Sequence, residues 1–172
     1  MKTKKLILYA LFAALTAVCS MISIPLPFTP VPINLATLSV FLAGGILGSK
    51  GGAISQTVYV FLGAIGLPVF HSFTGGLGIL TGPTGGYIIG YIAAAWLTGF
   101  MVEKLGNGFY KNIISMIVGL AACYALGTAW FMYLTGNGLA ASLMACAVPF
   151  LPGDGIKIVI GSILVKKLRP LV

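Results

Sequence analysis

PGDGIKIVIGSILV (152–165) is apolar enough to lie in a bilayer, yet it carries an acid, Asp154, and a base, Lys157, near its start. An ionisable side chain within a membrane segment costs about 2.5–3.5 kcal/mol on insertion scales, so such residues are rare and are usually paired or functional. Three positions apart, the two share one face of a helix. The only other acidic residue in the 172-residue chain is Glu103. Two readings stand at this point. In the first, Asp154, which follows Pro149, Pro152 and Gly153, favours a helix start through the dipole, with Lys157 as its partner. In the second, the pair binds a polar ligand: the carboxylate accepts N–H donors and the ammonium holds an anion. A small molecule with an N–H-rich head and a carboxylate would suit both.

The rest of the chain supplies the setting. It is 59% hydrophobic and 7% charged, where a soluble domain carries about 25% charged residues. This composition points to an all-α, multi-pass membrane protein, one domain over residues 1–172 with no soluble appendage. The net charge of +8 does not describe a nucleic-acid footprint, because the basic residues form short clusters between apolar runs, the pattern of orientation signals. No nucleic-acid partner is expected; membrane lipid is.

Six spans are drawn at 6–24, 34–49, 51–67, 84–103, 112–134 and 153–168, each near the ~17–25 residues a crossing needs, the second and third slightly short. The apolar run after MKTKK exceeds the usual 7–15 residues of a signal peptide's core, so it is expected to be a retained first transmembrane helix. A seventh apolar stretch, Gly138–Val148, is too short to span and is placed as a re-entrant or interfacial piece. Loop charge tests the drawing. Lys2, Lys4, Lys5, Lys50, Lys104, Lys111, Lys166, Lys167 and Arg169 all fall on one side of a six-span chain. That side is expected to be the cytoplasm, which puts both termini inside. The exception is Lys157, beside Asp154 at the outer end of span six.

The loops on the other side, 25–33, 68–83 and 135–152, have no Lys or Arg and are rich in Gly and Pro. PLPFTPVPI (25–33) favours stiff, polyproline-like backbone. Irregular backbone at membrane depth is tolerated only where it is buried in protein or lines a cavity. Three such loops converging on Asp154 and Lys157 describe a lidded pocket that opens outward.

Other motifs narrow the chemistry. Gly82–Pro83–Thr84–Gly85–Gly86 is either a tight turn before span four or a place where a ligand approaches backbone N–H groups at a helix start. No GxxxxGK[ST] exists, so the chain does not read as an ATPase. Tyr87 and Tyr91 share a face of span four, as interface aromatics or as pocket lining. His71 is the sole histidine; without partners it offers no metal site, and beside Ser72 it makes no triad, so it reads as an interface residue. Cys19, Cys123 and Cys146 lack metal-ligand spacing and read as packing. Trp96 and Trp130 read as packing or lipid contacts. Ala10, Ala13, Ala14 and Ala17 in span one give overlapping AxxxA pairs, for internal packing or for docking of a partner membrane protein. No catalytic residue, metal or cofactor is expected.

YVFLGAIGLPVF (59–70), GPTGGY (82–87) and PGDGIK (152–157), in this order and on these sides, resemble the BioY family over nearly the whole chain. BioY proteins are biotin-binding substrate (S) components of energy-coupling factor transporters. The resemblance implies a six-helix bundle in the cell membrane that binds biotin from outside and delivers it inward, with no enzymatic step. It implies that Asp154 and Lys157 contact biotin, that the first outer loop around Phe28 and Thr29 is a lid, and that Ala10 and Ala14 dock on a transmembrane coupling subunit. Two ATPase subunits on other chains would supply energy. Gly82, Thr84, Gly85, Tyr87, Tyr91 and Phe70 complete the expected site, Phe70 covering the ring. Lys157 is the only cation on that side for the biotin carboxylate, and which end of biotin it holds stays open. An S component for another vitamin, or an autonomous biotin transporter, are the alternatives.

Overall fold

In a computed structural model, residues 2–27 and 29–172 are described; Phe28 lies outside them. The chain is mostly helical. Helix α1 covers Lys2–Met21, α2 Ala36–Ala64, α3 Leu77–Thr81, α4 Gly85–Leu105, α5 Phe109–Thr135, α6 Leu139–Cys146 and α7 Leu151–Leu168, with a two-stranded hairpin, β1 Ser23–Leu26 and β2 Thr29–Asn34, between α1 and α2. Five helical stretches among the described residues are long and apolar enough to cross a membrane: Thr3–Met21, Ala36–Ala64, Gly85–Leu105, Phe109–Thr135 and the run Leu139–Leu171, in which α6 and α7 follow one another. Their outward faces carry exposed Leu6, Ile7, Ile117 and Ile160, which suits lipid as the solvent.

Five stretches stand where six spans were expected because 34–49 and 51–67 join in α2. That helix is broken at Gly48, whose φ of 79° and ψ of −178° are not helical. Glycine is the residue that adopts this φ without a Cβ clash. In a continuous helix Gly44 and Gly52 would stand about 12 Å apart. Here a Cβ on Gly52 would lie 2.7 Å from the Gly44 Cα, so the two halves fold back on each other. Glu103 of α4 braces the turn: its Oε1 accepts the Ser49 N–H and its Oε2 accepts the Ser49 hydroxyl, both at 2.8 Å.

Helix α4 sits at the centre, packed against α2 and α5, with α1 against α2 and α7 between α2 and α5. One end of the bundle collects both termini and the Gly48 turn. Lys4 Nζ donates to the Val172 carbonyl at 3.4 Å, and Arg169 donates to the Gly45 carbonyl at 3.0 Å. The opposite end carries the strand hairpin, the 68–83 loop and α6. A core of Phe12, Phe41, Ile46, Met116, Leu120, Ile158 and Val165 fills the first end, while a second core around Tyr59, Phe70, Tyr87, Tyr91 and Phe150 lies at the hairpin end.

The three loops are more ordered than their composition suggests. The 25–33 segment pairs antiparallel, Ser23 with Asn34, Ile24 with Ile33 and Leu26 with Thr29, with a register shift between Ile24 and Leu26. Pro25 sits at the shift, where a missing N–H costs no ladder bond. Polyproline-like and β backbone lie close in φ/ψ, so the prolines signal extension and hide the pairing. Gly138–Val148 is largely the short helix α6, which packs on α5 and on the strand hairpin.

Candidate ligand-binding pocket

The hairpin end encloses a narrow cavity of about 50 Å³ that opens at one side, below the ~300–1,000 Å³ usual for small-molecule sites. Every part of that end contributes lining: Ser20 from α1, Val31, Pro32 and Asn34 from the hairpin, Thr37 and Tyr59 from the two halves of α2, His71 and Thr84 from the next loop, Cys146 and Phe150 from the third. Tyr87, Ile88 and Tyr91 of α4, Cys123 and Tyr124 of α5, and Asp154 and Lys157 of α7 complete it. The wall mixes aromatic and aliphatic side chains with seven polar or charged ones, Ser20, Asn34, Thr37, His71, Thr84, Asp154 and Lys157.

Asp154 and Lys157 do pair. Lys157 Nζ lies 2.8 Å from Asp154 Oδ1, with the residues 7% and 2% exposed. One helical turn brings the short carboxylate and the long ammonium stem together on the face of α7 turned to α2 and α5. Thr37 stands between them: its hydroxyl donates to Asp154 Oδ1 at 3.0 Å and accepts from Lys157 Nζ at 3.1 Å. Tyr124 donates its phenol to Asp154 Oδ2. The buried pair is thus neutral as a unit and hydrogen-bonded on both carboxylate oxygens, the condition under which a buried ion pair is tolerated. A carboxylate so placed presents acceptor capacity to N–H donors entering the cavity.

Aromatic residues form the wall beside this polar end. Tyr59 and Tyr91 lie with ring centroids 6.4 Å apart, and Tyr87 and Tyr124 meet edge to face at 6.5 Å. The Tyr87 hydroxyl donates to the Cys146 carbonyl and bonds Thr128, both at 3.2 Å, tying α6 over the cavity. Asn34 Oδ1 accepts the Ala36 N–H at 3.0 Å, joining the hairpin to the start of α2.

The expected site residues divide. Asp154, Lys157, Thr84, Tyr87 and Tyr91 line the cavity. Phe70, Gly82 and Gly85 are not among the lining residues. Phe70 is fully buried behind the wall, edge to face with Tyr59 at 5.6 Å. The Gly82 carbonyl accepts the Trp130 indole N–H at 3.0 Å, and the backbone of Gly85 packs on Leu80. Thr29 is buried in β2, where its hydroxyl accepts the Val31 N–H at 3.3 Å. Phe28, the other expected lid residue, is outside the described residues. Ala10 and Ala14 are exposed on the open face of α1, while Ala13 is buried against the bundle.

Twelve of the lining residues are not among the expected ligand contacts, Thr37, Tyr59, His71 and Tyr124 among them. Tyr59 and Tyr124 lie within apolar runs, away from the interfacial positions where tyrosines ordinarily anchor helices; that placement is the signal the sequence offers for them. His71 sits in a short 3₁₀ turn, His71–Phe73, whose Ser72 and Phe73 have φ of 54° and 58°. Burial holds its imidazole below the ordinary histidine range.

A helical protein with five membrane-spanning stretches and a small-molecule cavity between them is a multi-pass membrane protein of the ligand-handling kind. The BioY family profile matches residues 1–172, and the chain belongs to the BioY family. It is 39% identical to the biotin transporter BioY of Thermotoga maritima, over 98% of this chain and 97% of that one. It is 36% identical to the biotin transporter BioY of Rhizobium etli, over 95% and 92%. A solved crystal structure, the S-component for biotin from an ECF-type ABC transporter, superimposes with a TM-score of 0.91 at 32% identity, covering 98% of this chain and 92% of that one.

Proposed function

We propose that this chain binds biotin in the cavity at the hairpin end and delivers it across the cell membrane as the substrate-binding component of an ECF-type transporter. The observation that carries the reading is the Asp154–Lys157–Thr37–Tyr124 network at one side of an aromatic cavity, in a chain of this family. Biotin has a ureido head with two N–H donors and a carbonyl, an apolar bicycle and chain, and a carboxylate tail. The Asp154 carboxylate accepts the ureido N–H groups, Tyr87 and Tyr91 cover the apolar body, and Thr84 borders it. The hairpin with Phe28 and Thr29 closes over the mouth, with Phe70, Gly82 and Gly85 shaping the wall from behind.

The chain acts as one domain that crosses the membrane six times, the fold-back at Gly48 dividing α2 into two crossings. Both termini then lie in the cytoplasm with the nine basic loop residues; the contact between Lys4 and Val172 at one end of the bundle supports this. The exposed Ala10–Ala14 face docks on a transmembrane coupling subunit, and two ATPase subunits supply the energy. The useful work is capture and release, without bond chemistry.

Titration of the purified chain and of Asp154→Asn with biotin tests the reading. The variant should lose at least ~1.5 kcal/mol of binding, the worth of a charge-assisted hydrogen bond. A folded variant with undiminished affinity would return Asp154 to a helix-start role, and a wild-type chain that ignores biotin would sink the proposal.

A further inference from the structure

Two polar atoms at the cavity lack the partners that buried polar atoms ordinarily have. The Tyr59 hydroxyl and His71 Nε2 are both buried, and neither makes a hydrogen bond within 3.5 Å to any described residue; the Ser20 hydroxyl stands near that of Tyr59 but beyond that reach. Both residues line the cavity. Tyr59 is 1% exposed, so its hydroxyl cannot turn to bulk water. A buried hydroxyl without a partner costs about 1–3 kcal/mol. Phenylalanine would fill the same space without that cost, and the neighbours of the ring, Phe70 and Tyr91, are already aromatic. Packing therefore does not explain the hydroxyl.

The turn that carries His71 is held as though the side chain's position matters. The His71 carbonyl accepts both the Thr74 N–H at 3.2 Å and the Thr74 hydroxyl at 2.7 Å, and the Phe70 N–H donates to the Thr74 carbonyl at 2.9 Å. These bonds offset the two left-handed residues, Ser72 and Phe73, at roughly 1–2 kcal/mol each.

Charge decides what such atoms would hold. Among the described residues Lys157 is the only Lys or Arg lining the cavity, and its ammonium is already engaged by Asp154 and Thr37. An anionic ligand tail brought to that end would face the Asp154 carboxylate. A tyrosine hydroxyl and an imidazole N–H are neutral donors without an adjoining acid, and a carboxylate accepts from both.

We propose that Tyr59 and His71 form a second polar subsite in the cavity, which holds the carboxylate tail of the ligand through the Tyr59 hydroxyl and His71 Nε2–H. This rests on the biotin reading above and divides the ligand between two stations: the ureido head at Asp154, the tail at Tyr59 and His71. Lys157 then serves the head station by neutralising Asp154.

The test compares biotin with its uncharged carboxamide, biotinamide, on the purified full-length chain and on Tyr59→Phe, His71→Ala and His71→Gln. A hydrogen bond to a charged group corresponds to a loss of about tenfold or more when removed. Tyr59→Phe and His71→Ala should each weaken biotin about tenfold and biotinamide far less, and His71→Gln, which keeps an N–H donor, should recover part of the loss. The ligand-free melting temperature of Tyr59→Phe should not fall. Equal losses for the two ligands would overturn the assignment. So would a fall in ligand-free stability, which would place the hydroxyl in a structural bond, Ser20 being the hydroxyl on the same side of the cavity. Absence of biotin binding by the wild-type chain would overturn both this subsite and the function on which it rests, whereas binding with undifferentiated losses overturns the subsite alone.

Discussion

Tyr124 donates its phenol to Oδ2 of Asp154, the carboxylate oxygen that neither Lys157 nor Thr37 uses. Helix α5 thereby aims a carboxylate that belongs to α7. Tyr124→Phe leaves that oxygen without its protein donor and removes nothing else from the wall. Biotin affinity should fall about five- to tenfold, less than the tenfold or more of a lost bond to a charged group on the ligand, because Tyr124 acts through Asp154. Isothermal titration of the variant reads it directly; unchanged affinity would show that Lys157 and Thr37 suffice to orient the acid.

Lys157→Met should destabilise the fold more than any other change in the pocket. Removing one partner strands a buried charge, at about 3–5 kcal/mol. Asp154→Asn in the same chain should restore most of the melting temperature and none of the ligand binding. A single variant as stable as its parent would show that the pair adds nothing net to the fold.

Glu103→Ala takes two acceptors from Ser49 at the start of the second half of α2. A lost cap of this kind costs about 0.5–2 kcal/mol. Thermal unfolding in detergent should show the drop, with biotin affinity little changed because Glu103 lies at the end of the bundle away from the cavity.

Gly44→Leu should prevent proper folding. A Cβ at Gly44 would lie 2.3 Å from the Ala95 carbonyl oxygen, and backbone on both sides leaves nothing soft to move. Size-exclusion chromatography should find the variant aggregated, while Gly153→Ala, where a Cβ meets open space, should elute normally.

His71 gives the stability a pH dependence with a definite sign. Burial lowers its pKa in the folded chain from the ordinary 6.5, so the unfolded chain takes up the proton first as the pH falls. The contribution is fully present above about pH 6.5 and is lost as the pH drops toward the folded value. Melting curves between pH 7.5 and 5.5 should decline for the parent and decline less for His71→Gln.

The fold is legible in the sequence where physics leaves a strong mark. Apolar runs of span length locate α1, α4, α5 and α7, and the cost of charge in such a run singles out Asp154 and Lys157 from their neighbours. Thr84, Tyr87 and Tyr91 stand out because small and aromatic residues cluster at one helix start. The α2 hairpin reads as two spans linked at Lys50, and its break falls at Gly48, two residues earlier; a turn this tight depends on one glycine's φ and on Gly44 and Gly52 meeting across it. Thr37 stays hidden, and Tyr59 and Tyr124 show only by their place inside apolar runs, because what a hydroxyl faces is set by groups far along the chain. Thr37 meets Asp154 across 117 positions. Phe70 is expected on the ligand, yet its neighbour His71 lines the cavity, since the turn at 71–73 points consecutive side chains in different directions.

The chain owns two acidic side chains, and both are bonded to hydroxyls at helix starts of α2. Asp154 takes the Thr37 hydroxyl in the first turn of the first half, and Glu103 takes Ser49 at the first turn of the second. The two grips come from different helices, α7 and α4, at opposite ends of the bundle. Mechanically, α2 is a folded beam pinned at two points with a bend at Gly48 between them. A ligand that competes with Thr37 for Asp154 unpins one point and leaves the other fast.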